Sequence, residues 1–263
     1  MLIQVNDTEL NIEDQGSGQP LLLIHGFPLN LEMWQPQIEE LTNHYRVIAV
    51  DLRGHGYSPP TPGAYTMDLL SDDCAAVLKS LGVREPVILC GLSMGGYISF
   101  AFFGRHPELV SGMILAATRA GADEDQVRAN RDKAIADTIQ HGAQPVLEGM
   151  LPILMSPKTY RQQPELVKFV SEIIARTTGD GIISAMQGMK NRPDSSRILQ
   201  QINVPTLIMH GADDQIISLS ESQAMQAGIP NSKLQIIPDS GHLPNLEQPR
   251  TFNRAVLSFM DSL

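Results

Sequence analysis

Residues 86–106 read PVILCGLSMGGYISFAFFGRH. The opening PVILC is a short, continuous apolar run, the pattern of a strand covered on both faces in a parallel sheet. The closing GYISFAFFGRH is compatible with a helix. Between them stands Gly91-Leu92-Ser93-Met94-Gly95, a serine with glycine two residues before it and two after. Without Cβ atoms at those flanks the chain has room for a sharp strand-to-helix turn that pushes the Ser93 hydroxyl out above the sheet. The helix begins at this serine, so its first N–H groups and the positive end of its dipole face any anion that develops there. A glycine-lined turn without chemistry is the plain alternative; the strand before and the helix after favour an activated serine.

Similar runs recur on both sides: LIQV at 2–5, LNI at 10–12, PLLLIHG at 20–26, YRVIAVD at 45–51, GMILAA at 112–117, PTLIMHG at 205–211 and KLQIIP at 233–238. With 86–91 they make eight candidate strands, nearly continuous from residue 20 onward. Met67, Leu70, Cys74, Val77, Leu78 and Leu81 follow three-and-four spacing and predict a helix over 65–81, stopped by Gly82. Alternation of this kind predicts an α/β fold with a mostly parallel sheet and right-handed crossovers.

The alternation breaks between Ala120 and Ile202, where four or five short helices are expected instead. Pro145 and Pro164 suit first helical turns. Leu166, Val167, Val170, Ile173 and Ile174 form one apolar face, and Asp180 is the expected cap of a helix carrying Ile182, Ile183, Met186 and Met189. The domain reading is one α/β core, residues 1–120 and 201–263, interrupted by a helical insertion at 121–200. No internal repeat or low-complexity tract occurs.

A chain of 263 residues suits one such domain, and 42% hydrophobic with 18% charged residues argues against disorder. Formal net charge is −10, so nothing supplies the basic face that nucleic acid needs. Residues 121–200 hold ten basic and ten acidic side chains, which puts the acidity in the rest of the chain and sets the insertion apart. The N-terminal MLIQVNDTELNIEDQ has neither a basic start nor a long apolar run, so a cytoplasmic protein without a membrane anchor is expected. Cys74 and Cys90 show no metal-binding spacing and read as small apolar residues.

A serine hydroxyl needs a base within hydrogen-bond reach, itself oriented by a third group. With this turn both partners are expected after Ser93, at the ends of later strands. Among the histidines beyond it, His106 lies on or just past the serine's helix, His141 falls in the insertion and His210 lies within a strand. His242, in the loop after KLQIIP, is the remaining candidate base. Asp213 and Asp214 both follow the strand PTLIMH; one of them serves the turn, and Asp214 is favoured as the orienting carboxylate. Two backbone donors are needed for an oxyanion. Met94, after the serine, is one, and Phe27, in the loop His25-Gly26-Phe27-Pro28, is the other candidate; His25 and Gly26 read as structural.

With these residues in place the chain resembles the α/β-hydrolase superfamily, in its carboxylesterase, 3-oxoadipate enol-lactonase and cofactor-free perhydrolase branch. The matching motifs are HGFP at 25–28, DLRGHGYS at 51–58, GLSMGG at 91–96, HGADD at 210–214 and SGHLPNLEQP at 240–249. The resemblance implies Asp214 as the acid, the His of the Gly241-His242 pair as the base, a helical cap at 121–200, and a scaffold role for Asp51, Arg53 and His55. The ordered triad with its turn implies ester hydrolysis through an acyl-enzyme with no metal or organic cofactor, and the compact, apolar insertion points to small, short-acyl esters or lactones as substrates. Leu29 and Trp34, beside the oxyanion loop, are pocket candidates, as are Met150, Leu151, Leu154, Met186 and Met189, several of them read as core of the insertion. Perhydrolysis or halide oxidation is a second reading, prompted by Pro28, and a ligand-binding receptor on the same scaffold is a third. Oligomeric state is not legible.

Overall fold

Residues 1–263 are described by a computed structural model. Eight strands form one sheet: β1 Leu2–Val5, β2 Thr8–Gln15, β3 Pro20–Ile24, β4 Arg46–Val50, β5 Val87–Leu92, β6 Val110–Ala116, β7 Thr206–Gly211 and β8 Ser232–Ile237. Their order is β1-β2-β4-β3-β5-β6-β7-β8, antiparallel for β1 against β2 and β2 against β4, and parallel from β4 to β8. The helices are α1 Gln35–Leu41, α2 Met67–Ser80, α3 Met94–Arg105, α4 Asp125–His141, α5 Gln144–Met150, α6 Pro157–Gln162, α7 Pro164–Ala175, α8 Gly179–Lys190, α9 Leu219–Gly228, α10 Pro244–Glu247 and α11 Pro249–Met260.

Alternate residues of the central strands feed two apolar layers. Leu22, Ile24, Ile48, Val50, Leu89 and Leu115 join Leu70 and Cys74 of α2 and Ile98 and Phe102 of α3 on one face. Leu21, Leu23, Val47, Ala49, Ile88 and Ile114 join Ile38 and Leu41 of α1 and Phe252 and Val256 of α11 on the other. Double coverage is why these strands read as unbroken apolar runs. Burial pushes the Cys74 and Cys90 thiols up, as befits side chains used for packing.

Helix α2 starts two residues after the expected Tyr65, because Thr66 caps it by accepting the Leu69 N–H at 3.1 Å. Tyr65 is instead buried, its hydroxyl held by Thr61. Five helices, α4–α8, with short 3-10 turns, fill the stretch between β6 and β7, and Pro145 and Pro164 lie in first turns. The cap of α8 is Thr178, whose hydroxyl accepts from Gly181 N–H at 3.0 Å, not Asp180, which lies inside the first turn. No helix is long and apolar enough to cross a membrane.

Candidate active site

Ser93 follows β5 with φ 55° and ψ −112°, a region costly for a residue with a side chain. Its surroundings over-determine it. The Ser93 N–H donates to Ala116 O at 2.9 Å, and its carbonyl accepts from Gly96 N–H at 2.9 Å and from Thr118 Oγ1 at 2.8 Å. A Cβ on Gly91 would lie 2.2 Å from Gly95 O, and one on Gly95 2.1 Å from Ile24 O. Both glycines are therefore required by close backbone approach. The half-buried serine stands at the N-cap just before α3, and no intrachain hydrogen bond engages its hydroxyl.

His242 lies in the loop after β8, and its Nδ1 meets Asp214 Oδ2 at 2.9 Å. Asp214 Oδ1 accepts from the N–H groups of Ile216 and Ile217 at 2.8 and 3.1 Å. Burial alone would raise the Asp214 carboxyl; the charge and hydrogen bond of His242 and these two donors hold it below the usual carboxylate range. An ionised Asp214 accepts from Nδ1–H, which leaves His242 Nε2 with its lone pair. Asp213 is exposed and spends its N–H on Ser240 O at 2.8 Å, serving the turn. The structure thus joins Asp214 and His242 directly; no hydrogen bond joins His242 to Ser93, which stands at the same carboxyl edge of the sheet, two strands from β7.

Neither Phe27 N–H nor Met94 N–H has a partner within the chain. Their loops converge: a Cβ on Gly26 would sit 3.3 Å from Ser93 Cβ and 3.2 Å from Leu92 O. His25 staples this loop, Nδ1 to Gly26 O at 2.9 Å and Nε2 accepting from Leu52 N–H at 3.0 Å, which only the neutral Nδ1–H tautomer satisfies. Further ties are Leu31 N–H to Asp51 Oδ1 at 2.7 Å, Asn30 Nδ2 to Ile173 O at 3.1 Å and Thr177 Oγ1 to Pro28 O at 2.7 Å. Asp51 also accepts from Asn11 and Tyr57, and Arg53 is buried against Asp73, so both serve the scaffold. His210, buried in β7, pairs with Ser222 Oγ at 3.0 Å.

The expected pocket residues are placed unevenly. Trp34 is fully buried and packs on Phe252 with ring centroids 6.2 Å apart. The reason is local, since a 3-10 turn at Leu31–Trp34, capped by Asn30, sets Trp34 in the layer under α11. Leu154 at 0% and Leu29 at 1% belong to the same layer, although Leu154 O accepts the His242 N–H at 3.0 Å. Met186 and Met189 are buried in the layer that contains Phe27 and Met94; Met150, half-buried, packs against both layers and Leu151, also half-buried, against the α11 layer. Sequence reading missed Thr118, Thr177 and Glu247. Thr118 and Thr177 carry no local signal, whereas an acidic residue in the apolar, proline-rich stretch after His242 was a visible one for Glu247.

A family model described as the alpha/beta hydrolase fold matches residues 19–249. The chain is 30% identical over 260 residues to 3-oxoadipate enol-lactonase 2 of Acinetobacter baylyi, covering 98% of this chain and 95% of that protein. It is likewise 30% identical to a non-heme haloperoxidase of Rhodococcus erythropolis, covering 97% of each. Among solved structures, a thermophilic esterase from Thermogutta terrifontis superposes with TM-score 0.96 at 38% identity over 100% of this chain and 98% of that one.

Proposed function

Because the chain belongs to the α/β-hydrolase family, we propose that it is a serine carboxylic-ester hydrolase acting on small, short-acyl esters through Ser93, His242 and Asp214. The observation that carries this reading is an Asp214–His242 pair at the same carboxyl edge of the sheet as a strained serine whose loop and the Phe27 loop carry two unpartnered N–H groups. His242 Nε2 takes the Ser93 proton as Oγ attacks the carbonyl carbon, and the Phe27 and Met94 N–H groups hold the oxyanion. His242 then gives the proton to the departing alkoxide, leaving an acyl-serine. Water, deprotonated by His242, attacks the acyl carbon and frees the acid and Ser93. Asp214 stays ionised throughout and stabilises the imidazolium. Residues 121–200 act as a cap over this centre, and residues 1–120 with 201–263 as the core.

A fluorophosphonate probe with peptide mapping, run beside p-nitrophenyl butyrate turnover, tests the reading. One label per chain on the Ser93 peptide, together with steady ester turnover, is expected; no label, a label elsewhere, or labelling without turnover on any ester or lactone would sink it. Lactone hydrolysis is the second reading, favoured by the enol-lactonase relative, and uses the same acyl-enzyme steps. Comparing lactone, ester and peroxide-dependent monochlorodimedone rates on one sample ranks the activities.

Thr177→Val should lower kcat more than it changes KM, since the oxyanion loop loses its tie at Pro28 O. It should also cost about 1–3 kcal/mol in urea unfolding, because a buried carbonyl is left unpaired. Wild-type kcat in this variant would remove the buttress role.

A further inference from the structure

Glu247 ends the short helix α10 and is 3% exposed, yet none of the chain's salt bridges involves it. Its carboxylate is instead held by three donors. Oε1 accepts from Gly241 N–H at 2.7 Å, and Oε2 accepts from Ser156 N–H and Thr159 Oγ1, each at 2.7 Å. A buried charge without a counter-ion is a poor device for stability, and an apolar side chain of similar size would serve packing better.

The donors explain its presence. Gly241 immediately precedes His242, whose own N–H donates to Leu154 O at 3.0 Å. Ser156 lies two residues beyond Leu154 and caps α6. The two strips of backbone, 154–156 and 241–242, touch so closely that a Cβ on Gly241 would stand 2.7 Å from Met155 C. One strip belongs to the helical segment and the other carries the base, and Glu247 bridges them on one side while the His242–Leu154 hydrogen bond joins them on the other.

We propose that Glu247 is a positioning residue for His242, its carboxylate clamping Gly241 to Ser156 so that the imidazole is held at a fixed height over the serine turn. This rests on the reading of His242 as the general base. Displacement of a reacting group by about 1 Å costs on the order of 100-fold in rate, which is the scale such a clamp controls. Burial pushes the Glu247 carboxyl above the ordinary carboxylate range, and its N–H and hydroxyl donors pull it back. Each oxygen of the carboxyl is thus engaged, and all three donors are spent on it.

Glu247→Gln keeps the shape but sets an amide NH2 against donors. Expected for this variant are a kcat lower by about 10- to 100-fold, a KM within about threefold of wild type, and a lower urea midpoint, from the donors left unpaired, that still leaves the chain folded under assay conditions. The low-field proton resonance of His242 Nδ1–H, bonded to Asp214, should shift or broaden. A kcat within twofold of wild type, a loss of activity matching the unfolded fraction, or an unmoved resonance would overturn the proposal. The resonance is read without substrate, so it decides on the clamp even if ester and lactone turnover are absent and the catalytic reading fails.

Discussion

Ser93→Gly is expected to be inactive and more stable than the wild-type chain. On the proposed mechanism Ser93 is the nucleophile, and removing the nucleophile of a serine triad costs on the order of 10⁶ in kcat, because base and carboxylate have nothing left to activate. The hydroxyl makes no intrachain hydrogen bond, so its deletion breaks nothing in the fold. The backbone at φ 55° and ψ −112° is costly for serine and open to glycine. Release of roughly 1–3 kcal/mol of strain, offset by about 0.5–1 kcal/mol of extra chain entropy, leaves a net gain of about 1 kcal/mol. Ser93→Ala keeps the Cβ and should be equally inactive without that gain. Ester turnover and urea unfolding on the three proteins check both halves; residual activity above a thousandth of wild type, or a glycine variant less stable than the alanine one, would defeat the argument.

The same serine shows which parts of the candidate site are legible in the sequence. Gly91 and Gly95 are forced by backbone atoms within a few residues or in the neighbouring strand, so the turn is written in a short window. Asp214 and His242 follow strands whose apolar runs are unbroken or nearly so, which places them at the carboxyl edge without knowledge of side-chain contacts. β8 shows the limit of that signal: KLQIIP reads as a covered strand, yet β8 is a sheet edge with Ile236 42% exposed. β2 shows the opposite limit, since TELNIEDQ is polar in composition and only LNI stood out, although alternate residues are buried along its antiparallel pairing. The surroundings of Trp34 and the partners of Glu247 lie far along the chain, Phe252 for one and Ser156 with Thr159 for the other; an acidic residue in an apolar stretch marks Glu247 as unusual, but no local spacing names those partners. Asp180 lost to Thr178 because two capping residues two positions apart are equivalent until the backbone chooses.

Acid should weaken the fold steeply between about pH 6.5 and pH 4, through the two histidines beneath the loop His25-Gly26-Phe27-Pro28. Burial pushes His25 from 6.5 down to about 4, against the pull of its Gly26 hydrogen bond. His55, 5.0 Å from it between ring centroids, is pushed down to about 3 by burial and by the charge His25 would carry. In this window the unfolded chain binds protons that the folded chain refuses, so unfolding becomes easier as pH falls. The contribution is fully present above pH 6.5 and lost as pH falls through the folded values. For His25 alone that is about 3 kcal/mol. Protonation would also place an Nε2–H against the Leu52 N–H it now accepts, so the staple on Gly26 and Phe27 opens with the loss. Asp51 and Glu247, both raised by burial, work the other way, since their protonation favours the folded state, and they blunt the slope at its acid end. Urea unfolding at pH 7 and pH 4.5 should therefore differ by about 3 kcal/mol or more, and His55→Phe should show a shallower dependence. Equal stability at the two pH values would mean that His25 accepts its proton inside the fold, which its two hydrogen bonds forbid.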